Sequence, residues 1–165
     1  MVGEAGASSA MLIWVLWLLL AVNCWGQALG TWKMIPAKSR QSSGPLAQAF
    51  TVKYEARSKE GHAQAETWTF YEIRADGMSE TTSQTLRFDG KEYPCGDLGL
   101  EGRTDTVVST KLDARIAEVS YNKAGRVIRR VVRTVSADGK QMTLGVHIIP
   151  ENGPAAEHFA YASRF

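Results

Sequence analysis

Alternation of apolar and polar side chains along short segments is the feature that most limits how this chain folds. In the segment AFTVKYEAR (49–57), Phe50, Val52 and Tyr54 recur at every second position with polar residues between them. Successive side chains of an extended chain point to opposite sides, so this period is that of a β-strand with one buried face. The segment therefore predicts a half-buried strand.

The same kind of segment recurs to the end of the chain. Runs rich in Thr, Val, Ile and aromatic residues predict further strands over residues 66–74, 82–88, 105–112, 115–122, 126–136, 141–149 and 156–165. Short turn sequences separate most of them, namely Asp76-Gly77, Asp89-Gly90, Lys123-Ala124-Gly125, Asp138-Gly139 and Asn152-Gly153. Such turns favour tight hairpins between neighbouring strands. Only residues 36–48 form a longer break, which we expect to be a loop.

Hairpins between successive strands predict an all-β, antiparallel sheet. Parallel pairing would need long crossover segments, usually helical, and no stretch after residue 28 shows a sustained helical period. A long sheet with one apolar face hides that face by closing on itself or by folding into two layers. We therefore expect an up-and-down meander barrel of about eight to ten strands, with a β-sandwich as the alternative.

An apolar run near the start of the chain has the pattern of an export signal. Residues 11–22 are uninterrupted apolar, shorter than the ~20 residues that span a bilayer. Small residues follow, so we expect a signal helix in residues 1–28, cleaved after Ala28, and a barrel domain over 29–165. A secreted or periplasmic protein would result, which meets the membrane only through its leader.

Other interpretations of this leader stay open. The region before the apolar run carries Glu4 and no Lys or Arg, which allows translation to start at Met11. An uncleaved anchor and a lipid-modified Cys24 are the remaining alternatives. Loss of the leader would leave Cys95 as a lone thiol without an intramolecular disulfide, and we expect it to be buried.

Charge excludes one large class of partner. The formal net charge is +2, and basic and acidic residues are interspersed along the chain. Proteins that bind nucleic acid usually concentrate basic residues in a patch or groove. We therefore expect no nucleic-acid partner.

Two short sequences resemble a known group of barrels. Gly30-Thr31-Trp32 matches the G-x-W signature of the calycin superfamily, which includes lipocalins, fatty-acid-binding proteins and bacterial exported lipocalin-like proteins. The segment TVSADGKQMT (134–143) looks like a late hairpin of the bacterial lipocalin-like proteins. The resemblance implies that Trp32 closes the narrow end of the barrel, with Arg164 from the last strand lying over its ring.

Motifs for metal or catalytic chemistry are missing from the sequence. His62, His147 and His158 are not spaced as metal ligands, and His147 alternates with the apolar residues of its strand, so we expect it to face solvent. Signatures for a nucleophilic serine or for phosphate and dinucleotide binding are also missing. We predict no metal and no cofactor, and leave enzymatic activity as the less favoured alternative.

The strand at 126–136 places arginines on both of its faces. Arg129 and Arg133 share one face with valines, and Arg130 lies on the other. A guanidinium inside a barrel needs an anionic partner, such as a ligand carboxylate, whereas one outside can pair with Glu118 across the hairpin.

These arginines and the apolar residues of other strands make up the predicted site. The candidate apolar lining consists of Tyr54, Phe70, Met142, Leu144 and Phe159. We expect the barrel to bind a small hydrophobic or amphipathic molecule inside, with charge supplied by Arg129 or Arg133. The same residues are compatible with a solid core, and a packed barrel would then act through its outer surface on envelope proteins or glycans.

Overall fold

The computed structural model describes residues 28–42, 44–57, 65–95 and 104–165. These ranges contain a short 3₁₀ turn (Pro36–Lys38) and eleven strands: β1 (Gly30–Met34), β2 (Arg40–Gln41), β3 (Ala49–Arg57), β4 (Ala65–Ile73), β5 (Ser79–Arg87), β6 (Asp89–Pro94), β7 (Thr106–Lys111), β8 (Ile116–Lys123), β9 (Arg126–Val135), β10 (Gln141–Ile148) and β11 (Ala156–Arg164). The predicted leader, up to residue 27, lies outside the described residues.

The strands form one antiparallel sheet that closes into a barrel. Ten of them follow the order β5-β4-β3-β1-β11-β10-β9-β8-β7-β6, and β2 pairs with β11 beyond the end of β1. The first and last strands are direct neighbours, with Trp32 opposite Arg164 and Met34 opposite Ala162. The prediction of an antiparallel meander barrel is confirmed, and the sheet is not divided into the two layers of a sandwich.

The barrel is nearly closed, with a seam between the two ends of the sheet. Within the described residues, β5 pairs only with β4 and β6 only with β7. The tight hairpin expected at Asp89-Gly90 is therefore wrong: this dipeptide begins β6, where the register with β7 shifts. The Ser109 hydroxyl of β7 bridges the seam by donating a hydrogen bond to the carbonyl oxygen of Arg87, 2.8 Å away.

Residues 36–48, expected to be a loop, run beside the mouth of the barrel and contain some regular structure. After the 3₁₀ turn, β2 pairs Arg40 with Phe159 and Gln41 with His158 of β11. The Ser39 hydroxyl accepts a hydrogen bond from the amide of Tyr161, which ties this segment to the last strand. We call the end of the barrel near this segment the open end and the opposite end the closed end.

Trp32 fills the closed end of the barrel. Its side chain is fully buried, and its indole N–H donates a hydrogen bond to the carbonyl oxygen of Ala28, 2.7 Å away. The guanidinium carbon of Arg164 lies 5.5 Å from the centroid of the indole ring. Gly30 has a positive φ of 117°, and a Cβ at this position would lie 3.6 Å from the Arg164 guanidinium. Glycine at this position thus fits both the backbone conformation and the close approach of Arg164.

Two remaining features bear on the expectations from sequence. Cys95 is partly buried, and its sulfur accepts a hydrogen bond from the Thr104 hydroxyl. Among the residues that the structure describes, no helix has the length and apolar character needed to cross a membrane.

Replacement of Trp32 by alanine should destabilise the barrel strongly. Removal of a fully buried aromatic side chain leaves a cavity and typically costs roughly 3–5 kcal/mol. The free energy of unfolding from urea titration measures the effect. Tyr71→Ala is the control, because the Tyr71 side chain is 46% exposed and its loss should cost little. Equal effects of the two substitutions would show that Trp32 does not hold the closed end together.

Candidate ligand-binding cavity

The interior of the barrel is filled at its closed end. The fully buried side chains include Trp32, Tyr54, Trp68, Leu86, Val135 and Met142. The rings of Tyr54 and Trp68 meet edge to face, with their centroids 4.9 Å apart. Such contacts leave this end of the barrel packed like an ordinary protein core.

A buried ionic cluster lies within this packed end. Arg133 donates a hydrogen bond to Oε2 of Glu66 at 2.7 Å, and the same oxygen accepts one from the Trp68 indole at 3.0 Å. The Lys111 ammonium lies 2.8 Å from Oε1 of Glu66. Both oxygens of the carboxylate therefore have charged partners, which is the condition for keeping a charge out of water.

Aromatic rings surround the Arg133 guanidinium on its other sides. Its central carbon lies 4.7 Å from the centroid of Tyr54 and 5.0 Å from that of Trp68. Cation–π contacts of this kind are stronger away from water. The Arg133 guanidinium is thus surrounded by protein groups. Its Nε is buried and has no hydrogen-bond partner.

The electrostatics of this cluster favour an ionised Glu66. Burial opposes ionisation, but the charge of Arg133 and the hydrogen bonds from Arg133, Lys111 and Trp68 outweigh it and lower the pKa of Glu66 to about 2. For Tyr54, burial raises the pKa, so its hydroxyl stays protonated. At neutral pH the cluster therefore holds an ionised, buried carboxylate between Arg133 and Lys111.

A cavity of about 330 Å³ occupies the open end. Apolar side chains supply most of its wall, namely Met34, Leu46, Ala47, Phe50, Trp68, Phe70, Val131, Leu144, Val146, Ile148, Phe159 and Ala160. Its floor includes Gln84 and Tyr121, which hydrogen-bond to each other with 2.9 Å between the Tyr121 hydroxyl and Oε1 of Gln84. This volume lies at the lower end of the ~300–1,000 Å³ typical of small-molecule sites.

Besides Arg40 and Gln41 of β2, four polar side chains surround the mouth of this cavity, and we call these four the polar ring: Glu72, Glu80, Arg129 and His158. On its own strand, each of the four lies two residues nearer the open end than another residue that lines the cavity. These deeper residues are Phe70, Thr82, Val131 and Ala160, in the same order. The cavity therefore has an apolar interior and a charged entrance.

The polar ring is not paired internally. Across the described ranges, none of its four side chains makes a hydrogen bond or an ion pair with another protein group. Nε of Arg129 and Nδ1 of His158 are buried without partners, although the Arg129 guanidinium lies 5.6 Å from the centroid of the Tyr121 ring. Glu72 and Glu80 are directly opposite each other on β4 and β5.

Burial and neighbouring charges shift the titration of two ring members. Burial and the charge of Glu80 raise the pKa of Glu72, against smaller opposing effects of Arg74 and Arg129. Burial and the positive charge of Arg129 lower the pKa of His158 below its ordinary value of 6.5, so the imidazole is neutral at pH 7. At neutral pH the ring thus combines one guanidinium, carboxyl groups and a neutral imidazole.

The residues predicted from sequence fall into two groups. Arg129, Phe70, Leu144 and Phe159 line the cavity, whereas Arg133, Tyr54 and Met142 lie in the packed closed end. Arg130 faces outward and pairs with Glu118 at 3.2 Å. The two arginines proposed to supply charge are thus separated, and only Arg129 borders the open space.

Several site residues were missed from the sequence although a signal was present. Glu66 and Glu72 flank Trp68 and Phe70 at two-residue spacing, which places all four on the inner face of β4. Glu80 shares the inner face of β5 with Gln84, and His158 that of β11 with Ala160. If the two-residue alternation is applied to the charged positions as well as to the apolar ones, it predicts that these side chains face the interior of the barrel.

Metal binding has no support in the described part of the chain, where no three His, Cys, Asp or Glu side chains gather closely enough to hold an ion. His147 faces outward, with Nδ1 3.5 Å from the Glu157 carboxylate. His62 lies outside the described residues.

Loss of the Glu66 carboxylate should destabilise the protein at neutral pH. Glu66→Gln leaves Arg133 buried without a counter-ion, and breaking a buried pair in this way costs roughly 3–5 kcal/mol. Because the folded pKa is about 2 and the ordinary value is 4.5, the stabilisation is present above about pH 4.5 and is lost as the pH falls toward 2. Urea titrations between pH 7 and pH 2 should show the difference between wild type and variant shrinking over this window. A pH-independent difference would contradict the account, and Glu118→Gln is the control.

Comparisons with known proteins find similarity in structure only. No protein-family model matches the chain, and no curated protein sequence matches it. Zebrafish ileal bile acid-binding protein complexed with cholic acid is 10% identical, with a TM-score of 0.48 over 84% of this chain and 99% of that one. Lobster apocrustacyanin A1 is 12% identical, with a TM-score of 0.42 over 99% of this chain and 72% of that one. The order of the strands itself gives this chain a calycin-like fold, as Gly30-Thr31-Trp32 indicated.

Proposed function

We propose that this protein binds a small apolar or amphipathic molecule inside the open end of its barrel. The observation that carries the proposal is the 330 Å³ cavity, which lies in a barrel whose other end is tightly filled. A concave pocket of this size, with a mainly apolar wall and a few polar groups, is the usual setting of a small-molecule site.

The arrangement of the lining sets how such a ligand would lie. Aromatic and aliphatic side chains, among them Phe50, Phe70 and Leu144, surround the interior of the cavity and would contact an apolar body. The closed end is blocked by Trp32 and the ionic cluster around Glu66, so entry would be through the polar ring. A polar head group would then remain at the mouth, beside Arg129.

Filling the cavity with a protein side chain should abolish binding. Val146→Trp places an indole in the space that a ligand would occupy, so affinity for the neutral probe N-phenyl-1-naphthylamine should fall by roughly tenfold or more. Fluorescence titration measures the affinity. Ile73→Trp is the matched control, because that side chain is 42% exposed on the outside of the barrel.

Two results would contradict the proposed function. Wild-type protein that neither enhances the fluorescence of the probe nor carries a small molecule in native mass spectrometry would leave the cavity without a ligand. Equal loss of binding in both tryptophan variants would place the probe outside the cavity. Either result would favour the alternative that the outer surface of the barrel binds a partner.

We also propose that the protein is exported, on the strength of the apolar run at 11–22 and the small residues that follow it. Cleavage after Ala28 would produce a chain that begins at Leu29. Such a chain would lack the Ala28 carbonyl, the acceptor for the Trp32 indole N–H.

The stability of two starting points tests how the processing site affects the fold. A chain beginning at Gln27 should be more stable than one beginning at Leu29 by about 1–3 kcal/mol, since the shorter chain leaves a buried donor unpaired. Urea titration of both chains measures the difference, and N-terminal sequencing of exported protein identifies the natural start. Equal stabilities would show that the Ala28 carbonyl is dispensable, and retention of the protein in the cytoplasm would contradict export.

A further inference from the structure

The charges of the polar ring indicate which head group a ligand would have, whereas the cavity volume limits only its size. This inference rests on the proposed function. Arg129 and Glu72 influence each other electrostatically but are not within ion-pair distance. Opposite charges in a partly dry environment are stabilised when they pair directly. Here they stand apart at the mouth of the cavity, with open space beside both.

The acidic side of the ring is unfavourable as it stands. Glu72 and Glu80 are cross-strand neighbours, and like charges directly opposite in a sheet repel. Neither carboxyl group has an ion-pair partner within the described ranges: Arg74 and Arg129 offset the raised pKa of Glu72 only in part, and Arg74 pairs with Asp76 at 3.6 Å. A ligand cation placed between these two carboxyl groups would relieve the repulsion.

The basic side of the ring offers the complementary chemistry. The Arg129 guanidinium and the His158 imidazole line the cavity, and Nε of Arg129 and Nδ1 of His158 are buried without hydrogen-bond partners. A guanidinium forms its strongest hydrogen bonds with carboxylate or phosphate groups. This side would therefore hold an anion.

We propose that the ligand is a small amphipath with a zwitterionic head group, whose anion contacts Arg129 and His158, whose ammonium contacts Glu72 and Glu80, and whose apolar tail fills the cavity. A purely anionic head would satisfy Arg129 but lie close to two carboxyl groups. A purely cationic head would satisfy the carboxyl groups but lie close to Arg129. Only a head group with both charges complements the whole ring.

Four unbranched compounds of eight carbons each separate these possibilities: 2-aminooctanoic acid, octanoic acid, octylamine and 1-octanol. Their affinities for the full-length barrel at pH 7 are measured by displacement of N-phenyl-1-naphthylamine. We expect 2-aminooctanoic acid to bind about tenfold or more tightly than each of the other three, since it gains charged hydrogen bonds at both sides of the ring.

Two substitutions assign the two charges of the head group. Arg129→Met should weaken 2-aminooctanoic acid by roughly tenfold or more and leave octylamine no weaker, while Glu72→Gln should weaken 2-aminooctanoic acid and octylamine but not octanoic acid. Arg130→Met and Glu157→Gln are matched controls that remove outward-facing charges, and both should leave all affinities unchanged. Probe binding by each variant reports that its cavity is intact.

The outcomes distinguish this inference from the proposed function. Binding of 1-octanol or octanoic acid as tightly as 2-aminooctanoic acid would overturn the zwitterionic head group while leaving an apolar ligand site in place. Failure of all four compounds and of the probe to bind would overturn both. Loss of affinity in the outward-facing controls equal to that in Arg129→Met would also overturn the assignment of the ring.

Discussion

The ladder between the first and last strands is the constraint on which the rest of the barrel depends. Pairing of Trp32 with Arg164 and of Met34 with Ala162 joins the half of the sheet with the order β5-β4-β3-β1 to the half with the order β11-β10-β9-β8-β7-β6, and so makes one nearly closed wall. Without it, β1 and β11 would both present open edges, and the inner faces of ten strands would lose their shared core. The fully buried indole of Trp32 lies where this ladder meets the closed end, so closure and core packing reinforce each other.

The interior has two different ends because charged residues are used in two different ways. At the closed end, Glu66 is surrounded by Arg133, Lys111 and Trp68, which satisfy its charge and fill the space. At the open end, Glu72 of β4 and Arg129 of β9 also point inward, but neither makes a hydrogen bond or an ion pair with another described residue. The contrast between a satisfied cluster and an unsatisfied ring agrees with the position of the cavity, which is the observation on which a ligand at the open end is proposed.

Much of the fold follows from patterns that are local in sequence. The alternation in residues 49–57 predicted β3, and Gly30-Thr31-Trp32 indicated a first strand that packs against the last. The hairpin expected at Asp89-Gly90 was wrong because turn-forming residues specify a bend, whereas strand pairing depends on which edges remain free when the barrel closes.

The site was harder to predict, because it too depends on which strands become neighbours when the barrel forms. Arg129 and Arg133 are indistinguishable by sequence, since both alternate with valines on one strand. They differ in which residue lies across the barrel: Glu66 reaches Arg133, and no carboxylate in the described parts of the chain reaches Arg129 within ion-pair distance. That distinction depends on strands β4 and β9, which are distant in sequence, and on how far along the barrel each residue lies. The alternation of apolar and polar residues predicts which face of a strand a side chain occupies. It does not predict how far along the barrel that side chain lies.

The most direct test of a barrel that is packed at one end and receptive at the other is methyl NMR during titration with 1-octanol. We expect the methyl resonances of Val131, Leu144 and Val146, which line the cavity, to shift on binding, and those of Leu86, Val135 and Met142 in the closed end to stay in place. Shifts of equal size at both ends, or shifts confined to outward-facing methyl groups such as Ile73 and Leu112, would contradict it.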